Sequence, residues 1–123
     1  MKTHKELEVW KRGIELVSFV YRVTKEFPLE ELYGLTNQIR RSAVSVPSNI
    51  AEGSARSSRK ELIHFLYISL GSLSELETQM IIARNLGFLS HEDMNEFEQK
   101  SVTLIRMLTA QIKALKNINS SDK

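Results

Sequence analysis

The sequence predicts an all-α fold, an antiparallel up-and-down four-helix bundle. Apolar residues recur at three- and four-residue intervals along nearly the whole chain, and no segment reads as a strand. Each break in that rhythm carries the Pro, Gly or Ser that ends one helix or opens the next. Short connections make sequential helices antiparallel. The chain has 123 residues, 41% hydrophobic and 26% charged, with two Pro and five Gly, which is the make-up of one globular domain. The bundle is expected over residues 1–117, followed by a polar tail at 118–123.

Thr3 and Glu6 stand as a capping box requires and place the first helix over about residues 4–26. Phe27-Pro28-Leu29-Glu30-Glu31 is a stop and a restart, since Pro cannot extend the first helix but suits the opening turn of another. Gly34 weakens that turn, so the second helix runs over about 35–54. Ser58 and Glu61 form a second capping box for a third helix over about 58–86, which Gly87 closes as a left-handed cap. Ser90, with Glu92 and Asp93 behind it, opens the fourth over about 90–117.

Pro47 falls inside the second helix, where a proline costs about 3 kcal/mol. Ile39, Ala43, Val46 and Ile50 nevertheless keep helical spacing straight through it, and Val46 would make a poor N-cap for a new helix. A second helix kinked at Pro47 but continuous follows. The Ala43 carbonyl then loses its usual donor and calls for a Ser side chain or water.

The first helix places Leu7, Trp10, Ile14, Val17 and Tyr21 on one face. The third does the same with Leu62, Leu66, Ser69, Leu73, Leu76, Met80 and Ala83, and the fourth with Met94, Phe97, Leu104, Leu108, Ile112 and Leu115. Two helices carry a second apolar stripe: Val9, Gly13, Leu16, Val20 and Phe27 on the first, and Ile63, Tyr67, Leu70 and Ile81 on the third. A monomeric bundle needs one apolar face per helix. Val9, Leu16, Val20, Phe27, Ile63, Tyr67, Leu70 and Ile81 are therefore the expected oligomer interface.

The second helix has a flank of its own. Gln38, Ser42, Ser45, Asn49, Glu52 and Arg56 recur along one edge, an expected polar seam between helices or subunits, with a ligand site as the alternative. Lys and Arg number 11 in residues 1–60 against 7 Asp and Glu, a balance of +4; residues 61–123 hold 6 against 8, a balance of −2. The cations cluster as Lys11-Arg12, Arg40-Arg41 and Arg56, Arg59 and Lys60. They are the candidate nucleic-acid contacts, the last group lying near the positive end of the third helix.

Little points to catalysis. Cysteine is absent, which excludes thiolate zinc sites, iron–sulfur clusters and a cysteine nucleophile. Glu61-Leu62-Ile63-His64 matches the Glu-x-x-His of di-iron bundles, but such sites need the motif twice, and His4 and His91 lie elsewhere. Glu52, Glu75 and Glu77 offer carboxylates without a partner pattern. No catalytic residue, metal or cofactor is expected. Nor is a membrane partner, since the longest uncharged run, Leu62 to Ser74, is too short to span a bilayer. The charged N-terminus lacks a secretory apolar region, so the expected compartment is the cytoplasm.

The segment from Gly34 to Gly53, GLTNQIRRSAVSVPSNIAEG, closely resembles the signature of the bacterial four-helix-bundle family encoded in intervening sequences of large-subunit ribosomal RNA genes. Val9-Trp10, Phe27-Pro28, Phe65-Leu66 and the run Gly71 to Thr78 extend the resemblance over residues 6 to about 116, with Ser42 and Ser69 where the pattern often has Ala. The resemblance implies a left-handed bundle assembled as a homopentamer. It also implies kinship with the accessory protein of diversity-generating retroelements, which partners a reverse transcriptase and its RNA. The expected role is a non-enzymatic homo-oligomeric scaffold binding structured RNA or a nucleoprotein. The alternative is a protein-interaction module with no nucleic-acid role.

Overall fold

The computed structural model describes residues 3–118. The tail residues 119–123 lie outside the described residues. Four helices follow in order: α1 (Glu8–Thr24), α2 (Leu35–Ser54), α3 (Arg59–Asn85) and α4 (His91–Lys116). Short 3-10 turns at His4–Glu6 and Leu29–Glu31 precede the first two.

The termini of these helices are set by local chemistry. Ser58 accepts a hydrogen bond from the Glu61 amide at 3.1 Å, and Ser90 accepts one from the Asp93 amide at 3.0 Å, so both serine caps act as the sequence indicates. Gly87 takes φ +82°; its amide reaches the Arg84 carbonyl and the Phe88 amide the Ala83 carbonyl, the paired bonds of a Schellman ending. At α2 the capping residue is Gly34, which has no side chain to offer. The Glu31 carboxylate takes over and accepts the Leu35 amide at 3.2 Å.

The first helix is shorter than its periodicity implies. Thr3 makes no capping bond, and Leu7 is extended at φ −76°, ψ 130°, so α1 opens at Glu8; the Glu6 side chain of the expected capping box lies outside what is described. At the other end Thr24 turns its hydroxyl back onto the Val20 carbonyl at 2.8 Å, and the chain tightens into 3-10 bonds through Phe27.

Partners across the helices run in opposite order, which makes each neighbouring pair antiparallel. Residues 13 and 24 of α1 meet 47 and 40 of α2; residues 42, 45 and 53 of α2 meet 75, 72 and 65 of α3. Tyr67 of α3 meets Lys116 of α4, and Arg22 of α1 meets Glu96 of α4. The helices close into a square in which each touches two others, the α2–α3 contact being the most extensive. This is an all-α bundle with the expected topology.

The core contains Leu16, Val20, Ile39, Ala43, Val46, Ile50, Leu66, Leu73, Leu76, Met80, Phe97, Leu104 and Leu108. Helices α3 and α4 bury the predicted faces, and α2 runs unbroken through a buried Pro47. On α1 the two stripes are exchanged. Val9, Leu16, Val20 and Phe27, expected to meet another copy, are buried within their own chain. The stripe expected to be core lies at the edge, with Ile14 41% and Tyr21 39% exposed. The reason is Gly13, which belongs to the buried stripe. A β-carbon there would lie 3.1 Å from Pro47 Cβ, so only this face lets α1 approach α2 so closely.

Candidate functional site

The polar flank of α2 meets a matching flank on α3. Ser42 donates to the Glu75 carboxylate at 3.1 Å, and the hydroxyls of Ser45 and Ser72 lie 2.8 Å apart. Asn49 stays within its own helix, donating to the Ser45 carbonyl at 2.8 Å and to the Ser45 hydroxyl at 2.9 Å. The buried hydroxyl of Ser69 reaches the backbone beside Pro47, though at the Val46 carbonyl (2.9 Å) rather than at that of Ala43. Small side chains bring the two helices together here. At Gly53 a β-carbon would stand only 2.8 Å from Phe65 Cβ. The seam is largely self-satisfied, as buried polar groups must be.

One part of it is not. Gln38, Arg41, Ser42, Ser45, Glu75 and Gln79 line an open cleft of about 380 Å³ between α2 and α3. Gln79 lines it, but its side-chain oxygen is itself buried away from the opening and has no hydrogen-bond partner among the described residues. Among the described residues Arg41 pairs with no carboxylate, and the Glu75 carboxylate pairs with no cation.

The seven candidate cations do not form one patch. Arg40 lies 4.6 Å from the Tyr21 ring and donates to the Thr24 hydroxyl at 2.9 Å, which ties α2 to α1. Arg56 pairs with Glu52 at 2.8 Å and stacks over Phe65, and Lys11 stands 3.7 Å from Glu8. Those three are engaged at home. Arg12, Arg41, Arg59 and Lys60 pair with no carboxylate among the described residues. Arg41 stands about 20 Å along α2 from the turn that carries Arg59 and Lys60. At that turn Arg59 and Lys60 share a cleft of about 720 Å³ with Ser57, Ser58, Ile63, Leu115 and Lys116. Lys116 also donates to the Tyr67 hydroxyl at 2.6 Å. The sequence reading missed Lys116, one of two lysines in α4's last turn, because antiparallel pairing alone brings it to the start of α3.

The third-helix half of the expected interface remains at the surface. Tyr67 is 47% exposed, and Ile63, Leu70 and Ile81 are partly covered by the bundle edge. His64 is exposed and touches Phe65, with the ring centroids 5.4 Å apart. Among the described residues no three His, Asp or Glu side chains gather as a metal site would require, and no helix is long and apolar enough to cross a membrane.

Fold and seam together define a four-helix bundle with a polar-seamed, close-packed helical hairpin, α2–α3, along one side. The chain belongs to the 23S rRNA-intervening sequence protein family, whose sequence model matches residues 5–110. Its fold is similar to the crystal structure of a protein of unknown function from the S23 ribosomal protein family of Bacteroides thetaiotaomicron. That similarity has a TM-score of 0.78 at 24% identity, covering 85% of this chain and 98% of the other. No curated protein matches the chain.

Proposed function

We propose that this chain is a non-enzymatic cytoplasmic scaffold that assembles with copies of itself and holds structured RNA at the basic end of the bundle. One observation carries the reading: Arg59, Lys60 and Lys116, drawn from two helices, converge on one cleft. The start of α3 adds the positive end of a helix dipole beside them. Membership of a family named for ribosomal RNA intervening sequences supports the choice of RNA. Assembly is supported by the exposed Tyr67 and the partly covered Ile63 and Leu70 on α3, and by Ile14 and Tyr21 on α1. A pentamer is the assembly that the sequence resemblance implies.

The test is binding of a labelled RNA stem-loop by fluorescence anisotropy across a salt series. Three phosphate contacts give a log–log salt slope of about −2 to −3. Replacing Arg59, Lys60 and Lys116 together with Gln removes most of that slope. Affinity no better than millimolar at about 50 mM salt, or affinity indifferent to the triple substitution, rejects the reading.

A second reading, a protein-interaction module without an RNA role, is favoured by Leu29 and Tyr33, which are 88% and 91% exposed on the α1–α2 connection. Capture of one protein partner, unchanged by ribonuclease treatment and lost in Leu29→Ser/Tyr33→Ser, supports that reading instead.

A further inference from the structure

The bundle is electrically polar along its length. Antiparallel packing gathers residues 7–15, 45–71 and 105–118 into the half that carries the α2–α3 turn. Residues 16–44 and 72–104 form the other half, with the α1–α2 and α3–α4 connections. The first half holds eight Lys and Arg against four Asp and Glu; the second holds six against nine. One end is basic and the other acidic, about 40 Å apart along the 26 residues of α4.

Each end carries an apolar feature of opposite shape. At the acidic end the α1–α2 connection projects. Leu29 and Tyr33 are 88% and 91% exposed there, with Glu30 exposed between them. The projection is not slack: the Glu31, Leu32 and Gly34 amides close its turns with backbone bonds of 2.9, 3.0 and 3.0 Å. Behind it Phe27 packs on Phe88 of the α3–α4 connection, the ring centroids 5.9 Å apart. Large apolar side chains held in water favour burial, and an ordered turn loses little entropy when it docks. At the basic end the feature is concave. Ile63 and Leu115 give the cleft of about 720 Å³ its apolar surface, and Arg59, Lys60 and Lys116 give it charge. Among the described residues Glu30 pairs with no cation, and those three cations pair with no carboxylate.

We infer that the acidic projection of one copy docks in the basic cleft of the next, Leu29 against Ile63 and Leu115, and Glu30 against Lys60 and Lys116. The two features lie at opposite ends and cannot meet within one chain. A twofold axis at either end would set like charges against each other. The complementarity is therefore head-to-tail, a contact that repeats from copy to copy. Its small area makes it weak, so it forms when chains are concentrated. The Glu30 carboxylate and an RNA phosphate then compete for the same cations, and end-to-end assembly closes the RNA cleft. The competition rests on the RNA reading; the docking does not.

The experiment follows the light-scattering mass of the full chain from about 10 μM to about 1 mM. The parent's mass is expected to rise at least about 1.5-fold at about 50 mM salt and to stay flat at about 0.5 M. Leu29→Ser/Glu30→Gln and Arg59→Gln/Lys60→Gln change positions outside the core, and circular dichroism confirms their folding. Each alone is expected to stay flat, and an equal mixture, which restores one intact projection and one intact cleft, to rise again. A flat parent, a Leu29→Ser/Glu30→Gln chain that rises like the parent, or a flat mixture overturns the docking. For the competition, the parent holding a labelled stem-loop is titrated with the Arg59→Gln/Lys60→Gln chain, whose projection is intact. Anisotropy is expected to fall, and not to fall when the added chain also carries Leu29→Ser/Glu30→Gln; equal effects overturn the competition. If the masses behave as expected and no RNA binds, the docking stands and the RNA reading falls. If RNA binds while the parent's mass stays flat, the docking falls and the RNA reading stands.

Discussion

Gly13 of α1 and Pro47 of α2 meet face to face: a β-carbon on residue 13 would stand 3.1 Å from Pro47 Cβ and 3.4 Å from its Cδ. The pair sets the distance between two helices and decides which stripe of α1 is buried. Gly13→Val forces a branched side chain against a ring that cannot change rotamer. It should cost about 1–3 kcal/mol, read as a fall in the urea midpoint at unchanged slope. A neutral outcome would mean that α1 does not approach α2 through this glycine.

Two other glycines should respond in opposite directions. At Gly53 a β-carbon would press to 2.8 Å from Phe65 Cβ and 3.3 Å from the Leu62 carbonyl, and neither neighbour can swing away. Gly53→Ala should therefore destabilise by about 1–3 kcal/mol. At Gly71, an exposed position within α3, nothing lies within 4 Å, so Gly71→Ala should stabilise by about 0.5–1 kcal/mol through helix propensity alone. Thermal melts of the two variants beside the parent check both signs.

Val20 and Tyr67 looked alike in the sequence, each on a second apolar stripe, and their substitutions should now diverge. Val20 is fully buried, so Val20→Glu places an unpaired carboxylate in the core and should unfold the chain. Tyr67→Glu falls at the surface and should leave the circular dichroism spectrum intact. If copies associate through α3, that variant's light-scattering mass drops toward one chain while the parent's does not.

Arg40 and Arg59 should separate in the same way. Arg40→Gln loses the stacking on Tyr21 and the bond to Thr24, and should cost about 1–2 kcal/mol of stability with little change in RNA affinity. Arg59→Gln should leave the melting curve in place and weaken RNA binding, the more so at low salt. Anisotropy and melts on the same two variants decide it.

What was legible in the sequence is what local chemistry sets. Ser58, Ser90 and Gly87 each announce a helix end within a few residues of themselves, and the structure ends the helices there. The bundle followed from the spacing of apolar residues. The buried face of α1 did not, because both its stripes have helical spacing and the choice between them rests on a ring in another helix. The seam was half legible. Gln38, Ser42 and Ser45 stood out, whereas Ser72, Glu75 and Gln79 are picked out only by the α2–α3 register. The cations show the same limit. Arg40 and Arg56 read like Arg59 in sequence, and it is the distant rings of Tyr21 and Phe65 that take them out of the candidate surface.

The two halves of the molecule are fastened differently. Beyond the apolar core that all four helices share, hydroxyl and carboxylate bonds join α2 to α3, while the polar contacts of α1 with α4 are the exposed pair Arg22–Glu96 and Lys100 laid on Phe19. Surface ion pairs of that kind hold little. Opening should begin as a hinge along the α1–α4 side, leaving the α2–α3 hairpin as the slowest-exchanging amides in deuterium oxide and the last part of the chain that a protease can reach.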